Sequence, residues 1–133
     1  MSEHFALEFK VRDYECDLQG IVNNSVYQNY LEHTRHEFLL SIGVCFSSLA
    51  KQKIDLVVTR IEMDFIKPLV SKDEFIVKLR ASQVSPIRFE FQQDIFRKVD
   101  NAHVLRGRVM CTALNERGRP FKFQSLIDLL GRL

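Results

Sequence analysis

An α+β fold, with an antiparallel sheet of about five strands curved around one long central helix, is predicted by three features of the chain. One segment near the N-terminus, about Ser25 to Ile42, is long enough for a major helix and spaces its apolar residues accordingly. Four later segments alternate apolar and polar residues with period two, as half-buried strands do. Short links carrying turn residues join those segments, which makes neighbours antiparallel. At 133 residues the chain is expected to be a single domain over 1–133, large enough for a real core.

In chain order, residues 5–12 (FALEFKVR) mix apolar and polar positions and read as a strand. The next stretch, DYECDLQGIVNNSVYQNYLEHTRHEF, is the densest in polar chemistry. It sets three acids (Asp13, Glu15, Asp17) and Gly20 ahead of Asn23, Asn24 and a helix start. In the helix, Tyr27, Tyr30, Leu31, Phe38 and Ile42 fall near helical spacing, and Val26, Leu39 and Leu40 broaden the apolar face. A largely buried helix is therefore expected, with Ser25 and Gln28 as a capping box and Gly43 as its stop. Glu32, Arg35 and His36 fall on its polar side, where Glu32 and His36 are spaced to pair.

A polar connection leads to the strand LVVTRIEMDFI (56–66), with Val57, Ile61, Met63 and Phe65 on its apolar face. Phe75, Val77, Leu79 and Ala81 mark the next strand, then Ile87, Phe89, Phe91 and Ile95, then Leu105, Val109, Cys111 and Ala113. Lys67-Pro68, Ser85-Pro86 and Asp100-Asn101 supply the turns, with His103 placed in the last hairpin turn and solvated. A short helix at about 124–131 follows a turn at Gly118. The apolar face of such a sheet needs a cover, and the long helix is the element able to give it.

Hydrophobic residues make up 46% and charged residues 27%, the balance of a globular protein. No apolar run approaches the ~18 residues of a membrane span, and MSEHFALEFK lacks the apolar block of a signal peptide, so a cytoplasmic protein without membrane association is expected. The net charge of +2 divides unevenly: residues 1–50 carry net −4 and residues 51–133 net +6. Basic and aromatic residues are not interleaved as in a nucleic-acid surface, so no nucleic-acid partner is expected. A phosphate-bearing small ligand needs only a few cations, and Lys67, Lys72, Arg88, Arg97 and Lys98 are candidates, with Lys67 and Arg88 preferred. Cys16, Cys45 and Cys111 show no metal-ligand spacing with the histidines and read as free thiols, two of them buried; no metal site or cofactor is expected.

An acid just ahead of a helix start has two readings, an ordinary cap or turn residue and a catalytic carboxylate. The run D-L-Q-G-I-V-N-N-S-V-Y (17–27) resembles the motif of hotdog-fold thioesterases of the 4-hydroxybenzoyl-CoA thioesterase-like family. VVTRIEMDFIKPLVSKDEFIVKL (57–79) and the Arg-Gly-Arg-Pro stretch at 117–120 are similar to later parts of that family's pattern. The resemblance implies a hotdog fold, a homodimer or homotetramer (dimer of dimers), and hydrolysis of an acyl-CoA to free acid and CoA. It implies that Asp17 is the catalytic carboxylate, as base or nucleophile. It also implies that Asn24, by its backbone N–H or its side chain, faces the thioester oxygen. Gly20, Ile21, Val22, Asn23 and Tyr27 would line the substrate, with Glu32 a second-tier candidate. Alternatives are an acyl-ACP thioesterase and a non-catalytic module that binds acyl thioesters. Asp13 and Glu15 read as solvated charges at a strand end, and Cys16, among acids that disfavour a thiolate, is rejected as a nucleophile.

Overall fold

The period-two pattern builds what it promises in the middle of the sheet. The computed structural model describes residues 3–133; the first two residues of MSEHFALEFK lie outside it. Strands β1 (Phe5–Lys10), β2 (Asp55–Phe65), β3 (Glu74–Ser85), β4 (Arg88–Arg97) and β5 (His103–Leu114) form one five-stranded antiparallel sheet in the order β1-β3-β4-β5-β2. Phe75, Val77, Leu79 and Ala81 of β3 and Phe89, Phe91 and Ile95 of β4 are buried on one face. Gln93 completes that inward row as a fully buried polar residue.

The long helix, α1 (Asn24–Ser41), lays Tyr27, Tyr30, Leu31, Thr34, Arg35, Phe38 and Leu39 inward. Tyr30 packs on Phe75 with ring centroids 4.8 Å apart, and Phe38 meets Phe91 edge-on. Each large apolar side chain so buried contributes roughly 1.5–3 kcal/mol. Gly107 of β5 lets the helix approach, because a Cβ there would stand 3.0 Å from Leu31 Cδ1. The N-cap is Asn23, whose Oδ1 accepts from the Ser25 N–H at 3.0 Å, in place of the expected Ser25–Gln28 box. Gly43, at φ +97°, ends the helix as expected.

Three details depart from the sequence expectation. The connection at 46–51 is a short helix, α2 (Phe46–Lys51), seated on its one buried residue, Leu49. In β2 the register slips between Val58 and Arg60, and a bulge at Thr59 reverses the facing of the strand. Leu56 and Val58 before the bulge, with Ile61, Met63 and Phe65 after it, therefore turn toward α1, whereas Val57 does not. His103 is not a solvated turn residue: it begins β5, bonds Asp94 Oδ1 at 2.9 Å and stacks on Phe96. The final helix, α3 (Gln124–Gly131), buries Leu126 and Leu130. Among the described residues no helix is long and apolar enough to cross a membrane.

Candidate active site

Residues 13–24 form a closed loop between β1 and α1, and backbone hydrogen bonds fix its shape. Asp13–Glu15 is one 3-10 turn. Asp17 N–H donates to Ile21 O at 2.9 Å and Gly20 N–H to Asp17 O at 3.0 Å, while Cys16 pairs with Val22 across the loop. Asp17 is the first residue of this tight turn, and its Oδ1 accepts from the Gln19 N–H at 2.9 Å. The Gln19 amide, with its nitrogen turned toward Asp17, lies 3.1 Å from both carboxylate oxygens. Gly20 closes the turn at φ +80°, a conformation an L side chain takes up only with strain. Asp17 itself is half-buried and keeps a solvent-facing edge.

The loop is tied to the rest of the chain at both ends. Asn23 N–H donates to Glu15 O at 3.0 Å, and Val22 N–H to Leu69 O at 2.9 Å. The Leu69 N–H in turn donates to the Tyr27 hydroxyl at 3.2 Å. Burial raises the Tyr27 hydroxyl above its ordinary value, so it stays a neutral partner. Among the described residues no hydrogen bond is made by the Asn24 N–H, and the Asn24 side chain is exposed and equally unengaged. The start of α1 therefore presents an open donor beside the loop that carries Asp17.

Glu15 differs from its expectation as a solvated charge. It is 8% exposed, accepts from the Arg12 N–H at 2.7 Å and from the Tyr30 hydroxyl at 2.8 Å, and lies 3.7 Å from the Arg12 guanidinium. Asp13 does reach the surface, where it accepts from the Ser71 hydroxyl. Glu15 and Tyr30 thus anchor the loop from beneath, a role that a strand-end acid in the sequence does not signal. Cysteine burial also differs: Cys111 is buried, Cys16 half-buried and Cys45 exposed, all three free.

Asp17, Gly20, Ile21, Val22 and Asn23 lie on this one loop, and Asn24 and Tyr27 on the first turn of α1 that follows it. Lys67, exposed and two residues before Leu69, stands on the same rim, and its ammonium makes no ion pair among the described residues. Arg88 does not join them within one chain. It begins the ten-residue β4, whose far end, Arg97, bonds Pro68 O, so Arg88 lies about 30 Å away along the strand. Arg97 and Lys98 are spent on Asp100 and on Glu8 and Glu74.

Along the second half of α1, from Glu32 to Leu39, a mostly apolar cavity of about 210 Å³ lies between the helix and the sheet and reaches Leu126 and Leu130 of α3. A second hollow, from Gln28 to Arg35 along β2, adjoins it and shares Glu32, Arg35 and Val58 with it. Arg35 is not on a polar face as expected, because it is 8% exposed and bonded to Gln93. Glu32 and His36 do pair at the rim, 3.8 Å apart. Asp17 and Asn24 line neither hollow.

Comparison with known proteins adds a family to this geometry. Residues 11–128 match the thioesterase-like superfamily. The chain is 41% identical over 127 residues to acyl-acyl carrier protein thioesterase ATL3, a chloroplastic protein of Arabidopsis thaliana, covering 96% of this chain and 67% of that one. It is 38% identical over 119 residues to ATL2 of the same plant, covering 90% of this chain and 63% of that one. The chain thus spans about two thirds of the length of these relatives. Its backbone superposes with a TM-score of 0.91 on Slr0204, a 1,4-dihydroxy-2-naphthoyl-CoA thioesterase from Synechocystis. That match is 17% identical and covers 97% of this chain and 96% of the other; at such identity the likeness is one of fold.

Proposed function

This chain belongs to the thioesterase-like superfamily, and on that premise we propose that it hydrolyses an acyl thioester to the free acid and the carrier thiol. In this reading α1 is the helix that the sheet of a hotdog fold encloses, and its N-terminus is the electrophilic end of the site. The observation that carries the proposal is the open Asn24 N–H at the end of the same hydrogen-bonded loop that locks the Asp17 carboxylate in its turn. A thioester oxygen accepting from that N–H would have its growing negative charge met by a bonded donor and the helix dipole. A well-aimed donor of this kind contributes roughly 3–4 kcal/mol to the barrier of acyl transfer. Asp17 either takes a proton from the attacking water or attacks the carbonyl carbon itself. In both routes water supplies the oxygen of the acid, the C–S bond breaks, and the thiolate leaves as the thiol. Gln19, holding the carboxylate on both oxygens, aims it.

Acyl carrier protein is the first choice of carrier, supported by the two plant relatives named for that substrate. Coenzyme A is the second reading, supported by the exposed Lys67 at the site rim, suited to a phosphate. The functional unit is read as a homodimer or a dimer of dimers. The exposed Val58, Ile61 and Phe65 on edge strand β2 support a partner there. Arg88 takes part only where a second copy brings it to this rim.

The test is turnover of matched acyl-ACP and acyl-CoA panels by the purified protein and by Asp17→Asn. Hydrolysis by the wild type with kcat lowered roughly 10²–10⁴-fold in the variant is expected. No turnover of any panel member defeats the hydrolase reading, and an unimpaired variant defeats the role of Asp17.

A further inference from the structure

The cavity along the second half of α1 has apolar walls, among them Leu39, Leu56, Phe89, Phe91, Leu126 and Leu130, yet the charged Arg35 is built into it, with Glu32 and His36 also in its lining. Arg35 is 8% exposed, and its Nη1 donates to Gln93 Oε1 at 3.1 Å. Gln93, fully buried, is fixed in turn by donating from Nε2 to Leu31 O at 2.9 Å. Among the described residues no carboxylate pairs with Arg35. Glu32 lies at the rim with its side chain 57% exposed, 3.8 Å from His36 Nε2; it acts on Arg35 by its charge and makes no bond to it. Cys111, on the same wall, is a neutral thiol, its pKa pushed up to about 11 by burial.

A guanidinium carries five N–H donors, and Gln93 takes one. No buried side-chain nitrogen among the described residues lacks a partner, so the donors beyond Gln93 open onto the hollows that Arg35 lines. Burying a cation whose one hydrogen-bond partner is a neutral amide is costly: burial holds Arg35 below the usual arginine range, and the charge of Glu32 offsets that only in part. A site that bound only plain hydrocarbon would do better with a leucine or methionine at this place.

We infer that Arg35 selects acyl groups that carry an oxygen acceptor (hydroxyl, oxo or carboxylate) remote from the thioester. The inference rests on the thioester-hydrolase reading and on an acyl chain that runs from the helix start along α1. The hollow at Gln28, one turn past Asn24, opens that path, and the shared Glu32, Arg35 and Val58 continue it to α3. Arg35 stands eleven residues after Asn24, about 16 Å along the helix axis, with its side chain leaning back toward the helix start. The acceptor it meets is therefore well beyond the carbons next to the thioester. A plain chain would strip the remaining water from the guanidinium and give nothing back; an oxygenated chain restores a charged hydrogen bond.

Matched plain and ω-hydroxylated acyl-ACPs, from hexanoyl to dodecanoyl, test this, together with calorimetric binding of the corresponding free acids to the resting protein. The wild type is expected to favour the hydroxylated member at one chain length by about 10- to 100-fold in kcat/KM. Arg35→Met should abolish or reverse that ratio, and Arg35→Lys should retain part of it. The ratio within one variant is unmoved by a general loss of folded protein, and Arg35→Lys keeps the test usable where Arg35→Met does not fold. Equal ratios in wild type and variants, or no preference at any length, overturn the inference. Arg35-dependent binding of the hydroxy acids without turnover of any thioester supports the cavity assignment and defeats the hydrolase reading instead.

Discussion

Tyr30→Phe removes one hydroxyl from beneath the candidate site and leaves the ring in place between Phe9 and Phe75. The lost bond is the 2.8 Å donation to Glu15 Oε1, between two residues that are 4% and 8% exposed. Glu15 keeps the Arg12 N–H and the more distant Arg12 guanidinium, so its charge is not stranded. A buried hydrogen bond to a charged group contributes about 1.5–3 kcal/mol, and at this chain length that lowers Tm by roughly 5–15 °C. Urea titration should shift the midpoint with m unchanged, and the double-mutant cycle with Glu15→Gln should return most of the loss as coupling. The alkaline limb changes as well. Burial, and then the bond to Glu15, hold the Tyr30 hydroxyl far above its ordinary value. A group raised in this way contributes stability that is whole below its unfolded pKa near 10 and is lost as pH rises past it. The wild type should therefore lose about 1.4 kcal/mol per pH unit above pH ~10 on this account, and Tyr30→Phe less. A variant within about 0.5 kcal/mol of wild type, with no coupling to Glu15→Gln, would refute the anchoring role.

Gly20→Ala meets no atom within 4 Å, so its cost is the φ of +80° alone, about 1–2 kcal/mol; kcat should fall more than KM changes, measured by steady-state kinetics. Gly107→Ala sets a methyl 3.0 Å from Leu31 Cδ1 and should cost about 1–3 kcal/mol by chemical denaturation as α1 is pushed from the sheet. Iodoacetamide at pH 8 should label the exposed Cys45 first, because hydrogen bonds from Ser47 and Ser48 hold its pKa below the usual thiol value. Cys111, with its pKa pushed up to about 11, should stay unlabelled until the protein unfolds, as read by peptide mass spectrometry.

Where period and punctuation act locally, the chain states its own structure. The α1 and α3 bounds, the stop at Gly43 and the strands β3 and β4 follow from spacing and turn residues. What escaped is decided by contacts between distant segments. The bulge at Thr59 leaves no mark in LVVTRIEMDFI, because either phase of that strand reads as apolar alternation. Glu15 looks like any acid after a strand until Tyr30, fifteen residues on, closes over it. Arg35 sits among polar helix residues in sequence and reaches the core only because Gln93 waits on β4. In the candidate site, the turn at Gly20 was legible because its chemistry is local, whereas the roles given to Asp17 and Asn24 came from the family resemblance. The hollows along α1 were not legible, since α1, β2, β4, β5 and α3 each contribute a wall.

The most direct measurement is the structure of the protein with a non-cleavable acyl thioester analogue bound. The expected complex places the analogue's carbonyl oxygen about 2.7–3.1 Å from the Asn24 nitrogen, with Asp17 or an Asp17-held water facing the carbonyl carbon. A carbonyl bound away from the start of α1, with Asp17 still bonded only within its own turn, would contradict the assignment.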